Sequence, residues 1–327
     1  MEGFKLKILT VNDHASYLTM LAKTGHDFYV ITKWGNREYA WGPSDPPVPA
    51  NITLIEFNNE QKRKIRSGGY DLLIIHNIHD VLWFFHFFGI RTIFVAHIPL
   101  FVNTFYDIVK TLSKRFTYRL FALTHNVRFV GISEFKRKTW SILGDVIVTP
   151  PIALPPADPG KGYDRVIIVG NGIKERGVEV GYDIIQQVRQ KIPLSLVGAR
   201  YIEGTIWPKS RQEFEDAFRS GRIYLYAIRY PYNDGFNLAM LEAMAMGMAI
   251  VTIENPSSPI IHNYNGLVGK DAEELIGHLQ NLLMNRKLVD ELGRRAQETV
   301  HRQFPEKTFV NKWNHVLAEL GARRSFW

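Results

Sequence analysis

A proline-rich stretch at residues 150–162 divides the chain into two halves of similar length. Five prolines and two glycines fall within these thirteen positions. Proline removes a backbone N–H donor and fixes φ, so neither a helix nor a central strand can run through the stretch. Each half is long enough to bury a core of its own. We therefore expect a first domain at residues 1–150, a linker at 151–162 and a second domain at 163–304.

Apolar runs of strand length alternate with helical patterns in both halves. The predicted strands are residues 5–11, 27–32, 52–57, 71–76, 91–96, 127–132, 145–149, 165–170, 194–197 and 223–228. A helix is predicted over 177–191, and residues 33–50 are predicted to be a loop. Such alternation is typical of parallel sheets covered by helices. The turn after the first strand lacks G-x-G-x-x-G, which argues against a dinucleotide-binding dehydrogenase.

One segment, residues 233–247, carries two acids eight positions apart in an otherwise apolar run. Residues 238–246 are nearly all strong helix formers, with Asn237 in front and Gly247 behind, which predicts a short capped helix. The helix is apolar all round and should be buried, so the carboxylate of Glu242 needs a partner. Free N–H groups at the helix start suit a phosphate. These residues alone indicate either a nucleotide site or a core helix whose Glu meets a Lys or Arg.

The segment resembles the acid, seven residues, Glu motif of retaining family 4 glycosyltransferases, which have the GT-B fold. The frame begins Asp234-Gly235-Phe236 and continues after five residues with Glu242-Ala243-Met244-Ala245. The family usually has Glu where this chain has Asp234. The resemblance implies an α/β protein of two Rossmann-like domains facing across a cleft. It also implies a terminal helix at 305–327 that packs back on the first domain.

The resemblance further implies that the second domain binds a nucleotide-diphosphate sugar, the donor. The diphosphate would lie on the helix start and on the loop at residues 170–177, and the ribose hydroxyls would donate to Glu242. A surface turn is the alternative for that loop. Arg176 matches a family Lys, whereas Asn171 stands where the family has Arg. The implied donor-binding residues are Asn171, Gly172, Lys174, Arg176, Arg200, Gly235, Phe236, Asn237, Leu238 and Glu242.

His97 follows the predicted strand 91–96 directly, and open α/β sheets bind ligands at the carboxyl ends of their strands. A histidine at this point faces the donor sugar in the family, so the resemblance implies catalytic roles for His97, Asp234 and Glu242. A solvent-facing loop histidine is the alternative. Acceptor-side candidates are Asn12, His14 and Ser133. His76 and His79 have a spacing that fits a metal pair, but no further ligand is identifiable, so no metal site is predicted.

The first half carries most of the basic excess, with 18 Lys and Arg against 12 Asp and Glu in residues 1–150. Within residues 101–138, cations and aromatic residues interleave, which is compatible with a basic amphipathic helix on an anionic membrane surface. A solvated helix face is the commoner alternative. The sequence contains no nucleic-acid recognition motif, no Cys and no apolar run of membrane-spanning length. We expect a cytoplasmic protein, with membrane association as an open alternative.

The leading hypothesis is a metal-independent retaining glycosyltransferase with no cofactor beyond its donor substrate and an unknown acceptor, a lipid-linked one included. Two alternatives stay open. Asn171 and Asp234 depart from the family pattern, which favours a sugar-nucleotide-binding protein without catalysis. A GT-B-like nucleotide-sugar epimerase is the other alternative.

Overall fold

The computed structural model describes residues 5–100, 105–151, 163–170, 172–198 and 202–322. The chain divides into two compact units, residues 1–149 with 307–327 and residues 150–306. Each unit is built on a sheet of parallel strands that helices cover.

In the first unit, the sheet runs in the order β3-β2-β1-β5-β6-β7-β8. The strand β4 also pairs with β2, on the edge of β2 that faces away from β1. Its central strands are fully buried apolar runs, as expected for parallel strands covered on both faces. The strands are β1 (Lys7–Val11), β2 (Asp27–Trp34), β3 (Arg37–Glu38), β4 (Ile52–Glu56), β5 (Leu72–Ile75), β6 (Arg91–Ala96), β7 (Val127–Gly131) and β8 (Asp145–Val146). The helices are α1 (Ala15–Ala22), α2 (Asn59–Arg66), α3 (Ile78–Phe84), α4 (Phe105–Thr124) and α5 (Glu134–Trp140).

The prediction of an unbroken loop at residues 33–50 is wrong at its start. The short strand β3 pairs antiparallel with the end of β2. Gly35 has a φ of +58° and, with Asn36, forms the two-residue turn between them. Glycine followed by a polar residue is a frequent hairpin signal because such turns need a left-handed backbone.

The second unit has a sheet in the order β10-β9-β11-β12-β13, and every pair in it is parallel. Its strands are β9 (Tyr163–Val169), β10 (Leu194–Val197), β11 (Gly221–Tyr226), β12 (Ala249–Ile253) and β13 (Leu267–Gly269). Its helices are α6 (Ile173–Arg176), α7 (Tyr182–Arg189), α8 (Arg211–Arg219), α9 (Leu238–Ala245), α10 (Ala272–Met284) and α11 (Arg286–Gln303), with a 3-10 turn at Gly177–Val180.

The continuous helix predicted over 177–191 is also wrong, because the chain makes the 3-10 turn and then restarts as α7. Gly181 separates the two with a φ of +74°. A Cβ at this position would overlap the carbonyl of Ala227, just beyond β11. The glycine lets the start of α7 approach the end of that strand, at the carboxyl edge of the second sheet.

The last helix, α12 (Glu306–Ala322), packs on the first unit. Phe309 and Trp313 are buried, and their rings lie 5.9 and 6.5 Å from the ring of Tyr17 in α1. Arg128 pairs with Glu319 at 3.3 Å. The apolar stripe of α12 therefore completes the core around α1.

Candidate functional site

The predicted capped helix of the second unit is present as α9. Asn237 Oδ1 accepts a hydrogen bond from the N–H of Met240 at 2.8 Å, which satisfies one donor of the first turn. The N–H groups of Leu238 and Ala239 meet no acceptor within the described residues. Gly247 follows the helix with a φ of +76° and ends it. The start of α9 therefore presents unpaired donors and the positive end of the helix dipole.

Glu242 lies in the middle of α9 and is 5% exposed. Across the described ranges, its carboxylate makes no hydrogen bond and no ion pair. Arg211 is instead paired with Glu215 at 2.8 Å. Burial raises the pKa of the Glu242 carboxyl to about 7; Arg211 opposes the rise and Glu215 adds to it. A buried carboxylate without a partner is costly, so this group is available to a ligand that donates hydrogen bonds.

Two loops are tied together in front of α9. The N–H of Gly235 donates to Ser257 Oγ at 2.9 Å, and Asn255 Nδ2 donates to the carbonyl of Asn233 at 3.1 Å. A side chain at position 235 would overlap the backbone of Ser258. The loop after β11 therefore lies directly against the loop after β12, and only glycine permits that approach.

Asp234 is fully buried within this turn. The hydroxyl of Tyr226 donates to its carbonyl at 3.0 Å. Burial raises the pKa of Tyr226 well above its ordinary value; Asp234 and Tyr224 add to the rise and Arg176 opposes it. Arg176, in the loop after β9, and Asp234 are thus both close enough to Tyr226 to change its pKa.

The loop after β9 contributes two exposed cations. Lys174 and Arg176 lie in the single turn of α6 and form no ion pair within the part of the chain described. Gly172 precedes the turn with a φ of +62°. Asn171 and Arg200 lie outside the described residues. The strands β9 and β11 are neighbours, so the predicted loop and the Asp234 turn share one sheet edge.

Phe236, a further predicted donor residue, is partly buried, and its ring lies 5.5 Å from that of Phe304 on the same unit. Its side chain anchors the turn to the core of the second unit. Phe236 can therefore offer a ligand only its backbone groups.

Three histidines lie together at the carboxyl edge of the first sheet. His97 follows β6, His76 follows β5, and His14 precedes α1. His97 Nε2 lies 2.9 Å from His76 Nδ1, and His76 Nε2 lies 3.1 Å from Oγ1 of Thr10 in β1. The ring of His14 lies 4.6 Å from that of His97. The structure therefore brings two predicted site residues, His97 and His14, into contact.

All three imidazoles are held in their neutral form near pH 7. Burial lowers the pKa of His76 to about 3, with a further contribution from His14. The pKa of His97 is lowered well below its ordinary value by burial, then by His14, His76 and Lys136. His14 keeps an exposed edge, and its pKa is lowered by the atoms packed around its ring and then by Lys136. The cluster consequently offers neutral hydrogen-bonding groups.

The other acceptor-side candidates take part in the fold itself. Asn12 is buried after β1, and its Nδ2 donates to the carbonyl of Tyr39 at 2.9 Å. Ser133 is buried after β7, and its Oγ caps α5 by accepting from the N–H of Lys136 at 3.1 Å. Both lie at the same sheet edge as the histidines, because β1, β5, β6 and β7 are consecutive neighbours.

Sequence reasoning missed a pair of acids at this edge. Asp13 follows β1, and Asp80 lies in the first turn of α3 with 2% exposure. The pKa of Asp13 is raised to about 8 by burial and then by the neighbouring carboxyl of Asp80. Each acid also has a buried Oδ2 that lacks a hydrogen-bond partner within the described residues. The position of Asp13 directly after a buried strand was a signal that could have found it.

The spacing of His76 and His79 does not produce a metal pair. His76 is buried against Thr10 and His97, whereas His79 is exposed on α3. Within the described ranges, no group of three or more His, Cys, Asp or Glu is arranged to hold a metal ion.

The family comparison agrees with the motif. Residues 163–285 match the family model for glycosyl transferases group 1. The match confirms the resemblance deduced from the sequence at the level of this group 1 family, and it includes α9, the loop after β9 and Glu242. No curated protein matches the sequence.

Solved structures resemble the chain along nearly its whole length. Anabaena HepE in complex with UDP-glucose has a TM-score of 0.69 at 13% identity and covers 96% of this chain and 100% of its own. Sucrose-phosphate synthase from Thermosynechococcus elongatus has a TM-score of 0.65 at 15% identity, covering 98% and 100%. A protein from Listeria monocytogenes described as a UDP-N-acetylglucosamine 2-epimerase has a TM-score of 0.54 at 13% identity, covering 99% and 97%.

These likenesses establish the fold. The predicted class, α/β with two Rossmann-like units of the GT-B type, is confirmed. The family match supports transfer of a sugar from a nucleotide sugar.

Proposed function

We propose that the protein is a retaining, metal-independent glycosyltransferase that moves a sugar from a nucleotide-diphosphate sugar to an acceptor. The observation that carries the proposal is Glu242, a buried carboxylate with no partner within the described residues on a helix with unpaired N–H groups at its start. Vicinal ribose hydroxyls are donors of the kind that this carboxylate lacks.

The diphosphate binds at the start of α9 in this proposal. The N–H groups of Leu238 and Ala239 donate hydrogen bonds to a phosphate of the donor. Lys174 and Arg176 supply positive charge from the neighbouring loop. These groups stabilise the negative charge that develops on the leaving diphosphate. Asp234 holds the turn and accepts from hydroxyls of the transferred sugar, and His97 contacts that sugar from the first unit. Asn12, His14 and Ser133 are assigned to the acceptor side.

UDP-glucose is the first donor to test, because HepE, a structural relative, has been crystallised with it. Titration calorimetry of the full chain with UDP-glucose and other nucleotide sugars measures donor affinity. Glu242→Gln keeps the side-chain volume and should weaken binding at least tenfold, the loss for one or two hydrogen bonds to a charged group. Glu273→Gln, an exposed change on α10, is the matched control. Undiminished binding by Glu242→Gln would contradict the proposal.

Product analysis decides between transfer and its alternatives. NMR of the anomeric proton reports whether the configuration of the donor is kept in the product, as retention requires. A non-catalytic binding protein would bind the donor and leave it intact. An epimerase, the activity named for the Listeria relative, would convert the donor with no acceptor present. Inversion of the anomeric centre would overturn the retaining assignment.

We further propose that the acceptor is presented at an anionic membrane surface, which α4 contacts. Along this helix, apolar residues recur on one exposed face and project into solvent. Phe105, Phe116 and Leu123 are 79%, 67% and 84% exposed, respectively. The members of this exposed face are Phe105, Ile108, Val109, Leu112, Phe116, Leu120 and Leu123. A contiguous apolar face of this length is typical of an interaction surface.

The cations of residues 101–138 contribute less to the attraction for an anionic membrane than their number indicates. Arg128 pairs with Asp145 at 2.7 Å, Arg137 pairs with Glu134 at 2.6 Å, and Lys136 is buried. Lys110 and Arg119 stay exposed on α4. Apolar insertion is thus the main attraction, and the two cations favour anionic lipid. Among the described residues, no helix is both long enough and apolar enough to cross a bilayer.

Vesicle flotation tests this contact. The full chain should float with vesicles of phosphatidylglycerol and phosphatidylcholine, and less with phosphatidylcholine alone. Leu112→Glu places a charge in the middle of the exposed face and should reduce binding about tenfold or more. Gln280→Glu makes the same charge change on exposed α10 and should not reduce it. Equal binding by both variants would exclude α4 as the contact.

A further inference from the structure

Thr10, His76 and His97 form a hydrogen-bonded chain across three neighbouring strands. Thr10 is in β1, His76 follows β5 and His97 follows β6, and the sheet order places these strands side by side. The two contacts are 3.1 Å from Thr10 Oγ1 to His76 Nε2 and 2.9 Å from His76 Nδ1 to His97 Nε2. Each contact needs one hydrogen. Because neutral His76 donates through one ring nitrogen and accepts through the other, the two hydrogen bonds must run in the same direction along the chain.

Two directions are compatible with the heavy atoms. A neutral imidazole has one N–H donor and one acceptor nitrogen, and either nitrogen can carry the proton. The hydrogens can run from Thr10 towards His97, or from His97 towards Thr10. The first direction leaves the proton of His97 on Nδ1. The second leaves Nδ1 as an acceptor, able to take a proton from a hydroxyl.

The surroundings of Thr10 decide between them. Thr10 is fully buried, and within the described residues its hydroxyl has His76 as its hydrogen-bond partner. If the hydroxyl accepted from His76, its own hydrogen would stay buried without an acceptor, which is unfavourable. If it donates to His76 Nε2, the buried hydrogens of Thr10 and His76 both have an acceptor, and only the hydrogen on His97 Nδ1, at the open end of the chain, is left for a ligand. His76 then carries its proton on Nδ1 and donates to His97 Nε2.

We infer that Thr10 and His76 are positioning residues that fix His97 as a hydrogen-bond donor through Nδ1. Within the described ranges, Nδ1 of His97 has no hydrogen-bond partner. Its N–H therefore meets an oxygen of the ligand, and His97 neither accepts the proton of the acceptor hydroxyl nor acts as a general base. This role rests on the proposed function, since the oxygen concerned is a hydroxyl of the transferred sugar.

The charged and titratable groups packed around His97 keep this arrangement neutral. His14 and Tyr17 contribute from the start of α1, His76 from β5 and Lys136 from α5. Phe309 and Trp313 of α12 pack on Tyr17 and carry no charge. No acid is among the groups that shift the pKa of His97, and the three that do so lower it. A neutral donor is therefore the stable form across the usual pH range.

NMR of the full chain with ¹⁵N-labelled histidine tests the inference without any assay of transfer. Two-bond ¹H–¹⁵N spectra distinguish the Nδ1–H from the Nε2–H tautomer, and the His97 signals are assigned by their loss in His97→Gln. We expect His97 and His76 both as Nδ1–H in the wild type. Thr10→Val, which is isosteric and lacks the hydroxyl, should shift His97 towards Nε2–H, whereas Thr10→Ser should not. A wild-type Nε2–H tautomer, or no shift in Thr10→Val, would overturn the inference.

Kinetics then separates this inference from the proposed function. Thr10→Val should lower kcat about five- to tenfold with little change in the donor KM, which corresponds to one neutral hydrogen bond made in the transition state. Thr10→Ser should recover the wild-type rate. If the tautomers behave as expected but no variant transfers sugar, the proposed function fails and the inference about His97 stands. If transfer occurs and Thr10→Val matches the wild type, the positioning role is contradicted.

Discussion

The two units share one architecture but offer a ligand different chemistry at the carboxyl edge of the sheet. The second unit presents unpaired backbone N–H groups, two exposed cations and the lone carboxylate of Glu242. The first presents three neutral imidazoles and two neighbouring acids, one of which has a raised pKa. Parallel strands determine where a ligand binds, and the loops after them determine which ligand.

The difference follows from how each edge compensates its buried polar groups. In the first unit, both ring nitrogens of His76 are satisfied inside the cluster, by Thr10 and by His97. In the second unit, Glu242 lacks such a partner in the described chain, so the compensating donor has to come from a ligand. We therefore assign nucleotide affinity to the second unit and sugar positioning to the first.

The largest expected effect separates these assignments. Glu242→Gln should weaken binding of UDP by about tenfold or more and reduce transfer by about 10²–10³-fold. His97→Gln should leave UDP affinity within about threefold and reduce kcat by about tenfold or more, since the proposed function gives His97 a contact with the sugar and none with UDP. Calorimetry with UDP and initial-rate assays measure both. Equal loss of UDP affinity in the two variants would contradict the assignment of nucleotide binding to the second unit alone.

The pH dependence of stability should reveal Glu242. Its pKa is about 7 in the folded chain and near 4.5 when unfolded, so the unfolded state loses its proton first as the pH rises. Stability should therefore fall between about pH 4.5 and 7 and stay low above. Glu242→Gln should match the wild type near pH 4.5 and be more stable by about 3 kcal/mol above pH 8. Urea unfolding at several pH values measures this, and a constant difference would contradict it.

Glu242 should also make donor binding depend on pH. In the proposed function the ribose hydroxyls donate to the ionised carboxylate, so UDP affinity should decline as the pH falls below about 7. In Glu242→Gln, which has no carboxyl at this position, UDP affinity should not show this decline. A wild-type affinity that is constant from pH 8 to pH 5 would count against Glu242 as the ribose contact.

The close approach of the loops after β11 and β12 should be sensitive to a single methyl group. Gly235→Ala places a Cβ into the backbone of Ser258 and should destabilise the chain by about 1–3 kcal/mol and weaken UDP binding. Gly277, on exposed α10, has open space around it. Gly277→Ala should stabilise the chain by about 0.5–1 kcal/mol. Normal UDP binding by a folded Gly235→Ala chain would show that the turn is not part of the donor site.

The smallest expected effect concerns the acid pair of the first unit. The pKa of Asp13 is raised to about 8, so its folded carboxyl keeps a proton that the unfolded chain loses near pH 4. Stability should fall as the pH rises towards 8. Asp80→Asn removes the like charge and should raise the Tm by a few degrees at pH 9, and by less at pH 5. Glu273→Gln is the exposed control, and an equal response of both variants would exclude a raised pKa of Asp13 caused by Asp80.

Much of the fold was predictable because local signals agree with it. The apolar runs predicted as β6 and β7, and the cap at Asn237, are present at the expected positions. The errors lie where one glycine outweighs the surrounding pattern. Gly181 interrupts a helix because of a contact with Ala227, a residue 46 positions later, and no local pattern records such a contact.

By itself the sequence determined the alternation of strands and helices, the capped helix at 238–245 and the resemblance of the second unit to glycosyl transferases group 1, because these depend on residue type and spacing along the chain. Tertiary structure alone decided which side chains meet. It left Glu242 without a partner in the described residues, joined Thr10 to His76 and His97, and placed Asp13 beside Asp80. These contacts join residues 21 to 67 positions apart. Burial and hydrogen-bond direction depend on what packs around a residue, which a linear pattern does not contain.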